Sequence, residues 1–88
     1  MTPDQFIAEL ALAGFLETVE VTREADGVMQ LHSHPFEAKA LILAGELQIW
    51  VDEAERRYQA GEVFHLSANQ PHSERYGPQG VTYLVGRK

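Results

Sequence analysis

Two histidines one residue apart, His32 and His34, are the residues of this sequence best suited to chemistry. Side chains on an extended strand alternate faces with a period of two, so both imidazoles point the same way if this segment is extended. Imidazole is a favoured ligand of zinc, iron, copper and nickel. A third histidine, His72, lies far downstream. The three histidines predict a metal site if the fold brings the two segments together; otherwise His32 and His34 are exposed strand residues that bind nothing.

Two further residues close to His72 are candidates for catalysis. Glu74 and Tyr76 follow it by two and four residues, so the three side chains share a face if the strand is uninterrupted. A buried Glu74 beside a cation would stay ionised and act as a base or a ligand, and Tyr76 would assist proton transfer. The alternative for Glu74 is a surface charge paired with Arg75.

The composition and charge exclude several classes of function. The 88 residues are 44% hydrophobic, which is ordinary for a soluble globular protein. Nucleic-acid binding is not expected, because the net charge is -6 and the seven Lys and Arg residues are scattered. An acidic chain would also be repelled by anionic membranes. There is no cysteine, so any metal must be held by nitrogen and oxygen ligands.

The sequence contains neither a recognisable secretory signal nor a membrane span. Its first residues, Met1-Thr2-Pro3-Asp4, lack the basic start of a signal peptide. No apolar run approaches the roughly 20 residues that a membrane-spanning helix needs. We therefore expect a cytoplasmic protein.

The first predicted element is a short helix over residues 2–14. Thr2 can cap it, Pro3 suits the first helical position, and Gln5 stands three residues after the cap. Apolar residues then recur at helical spacing until Gly14, a natural stop. Such a short helix is marginal alone, so we expect it to pack against the rest of the protein or against a second subunit.

After this helix the hydrophobic pattern changes to the period of two that is typical of strands. The change comes at Thr18. In the run that ends at His34, simple alternation places Gln30 and both histidines on one face, and Met29 on the other. That run would therefore carry one polar and one apolar face.

The remaining turn signals predict an all-β fold. We expect a tight hairpin at Ala44-Gly45-Glu46, with Gly45 at positive φ, and another chain reversal at Gly77-Pro78-Gln79-Gly80. Seven or eight short strands at near-regular spacing indicate a closed antiparallel sandwich or barrel, here over residues 18–86. We expect residues 1–88 to form a single domain.

Two motifs in this order resemble those of the cupin family. The first runs from Gly27 through His32-Ser33-His34 to Gly45, and the second from Gly61-Glu62 to Pro71-His72. The resemblance covers residues 19–85. It implies a double-stranded β-helix, or jelly-roll, barrel with a metal inside.

The resemblance also implies the ligands of that metal. The two histidines of the first motif and the histidine of the second correspond to His32, His34 and His72. The family's carboxylate falls at Ala38 in this sequence, and Glu37 comes one residue early. A shift by one residue reverses the face of a strand, so Glu37 is the fourth candidate ligand only if a bulge after Pro35 redirects it.

Two classes of function follow from the resemblance. One is a metal-dependent enzyme, an oxygenase, isomerase or lyase, that acts on a small molecule with one divalent first-row transition metal (Fe, Mn, Zn or Ni). The other is a binding or sensing module that holds a small ligand in the same barrel without turnover. The resemblance further implies a homodimer, to which the apolar helix would contribute.

Overall fold

Six antiparallel strands and one short helix form the part of the chain that the structure describes, residues 1–15 and 17–88 of a computed structural model. The predicted fold class, an all-β jelly roll with a short N-terminal helix, is confirmed. The elements are α1 (Pro3–Leu12), β1 (Glu17–Arg23), β2 (Val28–His32), β3 (Ala38–Val51), β4 (Ala54–Gln59), β5 (Val63–Leu66) and β6 (His72–Arg87).

The two longest strands, β3 and β6, pair with each other along most of their length, from Ala38 opposite Arg87 to Trp50 opposite Ser73. The shorter strands attach to one half of a long strand each. Strand β2 pairs with the N-terminal half of β6 and β1 with its C-terminal half, while β5 pairs with the N-terminal half of β3 and β4 with its C-terminal half. This arrangement rolls the sheet around one apolar interior and brings the start of β6 beside the end of β2.

The hairpin predicted at Ala44-Gly45-Glu46 is wrong, because β3 continues through it as one bent strand. The reversal predicted at Gly77-Pro78-Gln79-Gly80 is likewise absent, and β6 runs on to Arg87. Gly45 does take positive φ, +82°, but at a place where the pairing of β3 with β6 shifts register. A Cβ on Gly45 would lie 2.1 Å from the carbonyl oxygen of Gly80, so the glycine permits close strand approach at a bend.

The helix covers one end of the sheet through a small apolar cluster. Thr2 and Gln5 form the predicted capping box, with reciprocal hydrogen bonds of 2.9 and 3.1 Å. Phe6 and Leu10 are buried against Phe15 of the following segment and against β3. No helix within the described ranges is long and apolar enough to span a membrane.

Candidate metal centre

The three histidines that the sequence singles out converge at one point. Their ring nitrogens lie within 4.8 Å of one another, close enough to ligate a single ion. His32 ends β2 and His72 begins β6, where the two residues are register partners, while His34 lies just beyond β2. The ring centroids of His32 and His72 are 4.2 Å apart, and those of His32 and His34 are 4.8 Å apart.

A bulge in β2 sets the direction of His32. Between the pairs Met29–Glu74 and His32–His72, β2 contains one residue more than β6 does. Met29 and His32 therefore both face the interior, while the intervening Leu31 is 73% exposed. Simple alternation predicts that Met29 and His32 face opposite sides of the strand, and this is wrong for Met29. The extra residue of the bulge lets both side chains face the interior.

Backbone carbonyls fix the tautomers of two of the histidines. The Nδ1 atoms of His32 and His72 lie 2.7 and 2.9 Å from the carbonyl oxygens of Gln30 and Gln70. A carbonyl can only accept, so each Nδ1 donates and each neutral ring keeps a lone pair on Nε2. Both Nε2 atoms are buried and make no hydrogen bond.

Glu74 faces these two unpartnered nitrogens. Its Oε2 atom lies 3.3 Å from Nε2 of His72 and 3.5 Å from Nε2 of His32. Glu74 is only 7% exposed and His72 only 1%. Three atoms that carry lone pairs thus surround one buried point, which is an arrangement that requires a cation or an added proton.

The position of His34 is fixed by the packing of its ring and by a hydrogen bond from a loop to its backbone. Its ring stacks on Phe36 with a centroid distance of 4.9 Å and an interplanar angle of 16°. Its carbonyl accepts a hydrogen bond of 2.6 Å from the backbone N–H of Asn69, which adopts a φ of +63°. Burial, followed by the neighbouring His32 and His72, lowers the pKa of His34 and so favours the neutral ring that a metal needs.

Glu37, the fourth ligand predicted from the sequence, lies away from the three histidines. Its carboxylate accepts a hydrogen bond from Nε2 of His65 on β5, and its backbone pairs with Lys88. The hydrogen bond to His65 lowers the pKa of Glu37. The structure therefore brings Glu74, rather than Glu37, to the histidine cluster.

Tyr76, the second predicted catalytic residue, lies behind Glu74. Burial, followed by the charge of Glu74, raises the pKa of Tyr76 to about 12, so its hydroxyl keeps its proton. That hydroxyl is buried and unpartnered. It does not line the cavity described next, into which Glu74 faces.

A cavity of about 90 Å³ opens beside the histidines and Glu74. Its walls combine apolar side chains with two arginines, Arg23 and Arg87, and with Tyr83. Burial raises the pKa of Tyr83, as does the nearby charge of Glu74. The arginines were missed by the sequence reasoning, although Arg23 shares the inward face of β1 with Val21, a period-two signal that could have indicated it.

Comparison with known families identifies the fold. The family model of the cupin domain matches residues 19–76, more than half of the chain, and this segment contains all three histidines. The chain belongs to the cupin family. The resemblance recognised in the sequence is thereby confirmed.

Solved cupin structures are similar to this chain over about four fifths of its length. An RmlC-like cupin from Shewanella frigidimarina shares 18% identity at a TM-score of 0.69, covering 80% of this chain and 62% of that one. KdgF from Halomonas sp. shares 17% at 0.67, covering 80% and 67%. The DMSP lyase DddQ from Ruegeria pomeroyi shares 26% at 0.73, covering 81% and 36%.

These likenesses support the fold but not a particular activity. This cupin spans less than two thirds of the Shewanella and Ruegeria chains. A search of curated proteins finds no match. The cupin family includes both metal-dependent enzymes and binding proteins, so function must be argued from the site.

Proposed function

We propose that this cupin binds one divalent first-row transition metal (Fe, Mn, Zn or Ni) and uses it to transform a small molecule in the adjoining cavity. The ligands are His32, His34 and His72, with Glu74 as the fourth. Nitrogen and oxygen donors of this kind suit these metals. The proposed location is the cytoplasm.

One observation carries the proposal: two buried Nε2 atoms without a hydrogen-bond partner, those of His32 and His72, both lie within 3.5 Å of one carboxylate oxygen of Glu74. Leaving buried polar atoms unpaired costs roughly 1–3 kcal/mol each, and more for a charged group. A divalent cation bound between these atoms would give each of them a partner at the same time. The carbonyls of Gln30 and Gln70 would orient the rings and raise their basicity, as carbonyls behind metal-bound histidines do.

The site also fits a reaction at the metal. The metal would serve as a Lewis acid or an oxygen activator for a bound small molecule. Glu74 borders the cavity and is placed to hold the metal or to move a proton of the substrate. An oxygenase, isomerase or lyase is the corresponding class of enzyme, and the lyase among its structural relatives supports the last of these.

The second candidate function is a binding or sensing module that holds a small ligand without turnover. The cavity is small, about 90 Å³, and leaves little room for a second reactant, which favours binding without turnover. Oxygen consumption by the Fe(II) form, screened against small diols, thiols and keto acids, tests the oxygenase. No turnover with any metal or substrate would favour the binding module.

Elemental analysis tests the metal site directly. We expect close to one first-row metal per purified wild-type chain and almost none in the His32→Ala/His34→Ala double variant. Circular dichroism would verify that the double variant keeps its sheet. An unchanged metal content in the double variant would refute the site, and absence of metal from the wild type even after incubation with Fe(II), Mn(II), Zn(II) or Ni(II) would refute the proposal.

A further inference from the structure

We infer that the cavity beside the histidines accepts a small organic carboxylate, held by Arg23 and Arg87 while it approaches the metal. This inference names the class of substrate or ligand and rests on the proposed function, because the metal site forms one wall of the cavity. It comes from two arginines that the metal site does not use. The chain as a whole is acidic, with 13 Asp and Glu against seven Lys and Arg.

Arg23 is held inside the sheet without an anionic partner. It is the last residue of β1, where it pairs with Val81 of β6, and its side chain reaches the cavity. Its Nε is buried and makes no hydrogen bond. Within residues 1–15 and 17–88, no carboxylate lies within ion-pair distance of its guanidinium. The residue is only partly buried, and a bound anion would give this unpartnered N–H an acceptor.

Arg87 also lines this cavity. Its guanidinium carbon lies 5.3 Å from the ring centroid of Phe36, and that ring stacks on His34. Arg87 is exposed, and among the described residues it forms no ion pair. It is therefore free to contact a ligand at the mouth of the cavity.

The charges around the cavity favour an anion. Arg23 and Arg87 supply two positive charges, and Glu74 is the one carboxylate among the described residues that line the cavity. A divalent metal would leave the lining with an excess of positive charge. A guanidinium group matches a carboxylate through two parallel N–H donors, which makes the carboxylate the preferred ligand.

The size and walls of the cavity limit the ligand further. About 90 Å³ has room for roughly half a dozen water-sized groups, so the ligand has only a few heavy atoms. The rest of the cavity wall is apolar and includes Met29, Phe64, Leu66 and Val85. Acetate, pyruvate and malonate have the corresponding size, charge and short carbon skeleton.

The competing explanation is that Arg23 is a purely structural cation. Its guanidinium faces Tyr83, and the charge of Glu74 acts on it from further away. In that case, removing its charge would alter the stability of the sheet but not the choice of ligand. Ligand preference therefore separates the two explanations, whereas stability does not.

Calorimetric titration of the purified chain with each carboxylate and its neutral amide (acetamide, pyruvamide, malonamide) tests the inference. We expect at least one carboxylate to bind at least tenfold more tightly than its amide. Arg23→Gln should weaken that binding at least tenfold, and Arg87→Gln should weaken it by a smaller factor. Arg57→Gln, at an exposed arginine of β4 that pairs with Glu55, is the matched control and should bind as the wild type does.

The inference is overturned if no carboxylate binds, if the amides bind equally well, or if the two cavity arginines can be replaced without effect. If Arg23→Gln does not fold, the amide comparison and the exposed Arg87→Gln variant still test the inference. Metal content is measured on the same samples. Carboxylate binding by a chain that takes up no metal even after incubation with Fe(II), Mn(II), Zn(II) or Ni(II) would refute the proposed function alone, and a metal-loaded chain that binds no carboxylate would refute this inference alone.

Discussion

Glu74 and Glu37 carry the same carboxylate group, but Glu74 lies beside the histidine cluster and Glu37 lies away from it. Glu74 is buried beside the Nε2 atoms of His32 and His72, and Glu37 pairs with His65 on the neighbouring strand. We expect Glu74→Gln to lower the affinity for Zn(II) by at least tenfold, because the amide keeps the shape but removes the negative charge. The measurement is competition for Zn(II) with a chromophoric chelator.

Glu37→Gln is the matched control for that experiment. It makes the same chemical change outside the cluster, so its affinity for Zn(II) should equal that of the wild type within about threefold. If Glu37→Gln lost the metal and Glu74→Gln kept it, the carboxylate ligand would be the one predicted from the sequence. The inferred role of Glu74 would then be abandoned.

At the level of elements, the bends of β3 and β6 depend on a close approach of two backbone segments. Both strands bend where Gly45 meets Gly80, and a Cβ on Gly45 would lie 2.1 Å from a backbone oxygen. Gly61 also has positive φ, +91°, but a Cβ there would meet nothing within 4 Å. We expect Gly61→Ala to cost about 1 kcal/mol of unfolding free energy from its backbone conformation alone. Gly45→Ala should cost clearly more, about 3 kcal/mol, because backbone must also move.

Urea unfolding of the two alanine variants, followed by tryptophan fluorescence, measures this difference. Trp50 lies on β3 and reports on the strand that bends. Equal losses of unfolding free energy in the two variants would mean that the strands can separate at the bend at little cost. The close approach at Gly45 would then not be what shapes the sheet.

The pair Glu37–His65 joins the segment that carries His34 to β5, and it gives stability a pH dependence. Its hydrogen bond to His65, followed by nearby positive charges, lowers the pKa of Glu37 from its ordinary value of 4.5. The pair should therefore stabilise the fold fully above pH 4.5, and this contribution should vanish as the pH falls through the lowered pKa. The test compares wild type and Glu37→Gln by urea unfolding of the metal-free chain.

We expect wild type to be the more stable of the two at pH 7 and the difference to shrink below pH 4.5. Protonation of the histidines in the metal cluster is common to both proteins and cancels in the comparison. A difference that stays constant down to pH 3 would show that Glu37 acts through packing and not through its charge.

The sequence predicts most of the strands because alternation and turn residues are local signals. It predicts the histidine cluster only through the resemblance to the cupin family, because His72 lies far along the chain from His32 and His34. The bulge in β2 and the continuous bends of β3 and β6 are set by pairing with distant strands, which no local pattern reveals. For the same reason the sequence indicates a hairpin at Gly45 and does not connect Arg23 with the distant residues that line the cavity.

At the scale of the whole molecule, the homodimer implied by the family resemblance remains a prediction. The helix leaves Leu12 91% exposed and Ile7 40% exposed, and a second chain would cover such side chains. We expect a mass of twice 9.9 kDa by light scattering at micromolar concentration. Leu12→Glu should lower the dimer fraction, with Glu9→Gln on the same helix as control. A wild-type mass of a single chain would contradict the prediction.

The metal should stabilise the molecule chiefly by holding β2 in place. Strand β2 is short and its outer side chains, Val28 and Leu31, are 67% and 73% exposed, so little apolar burial keeps it on β6. An ion held by His32, His34 and His72 would tie together β2, the segment after it and β6. At a free metal concentration of about 100 times the dissociation constant, the gain in unfolding free energy is about 2.7 kcal/mol.

Hydrogen exchange followed by mass spectrometry tests where this stabilisation acts. On addition of Zn(II), we expect amide exchange to slow most in residues 28–37, and little in β4, which is separated from β2 by β6 and β3. The His32→Ala/His34→Ala variant should show no slowing at all. Uniform protection across all strands would mean that β2 opens only when the whole barrel unfolds. The metal would then not stabilise the molecule by holding β2 in place.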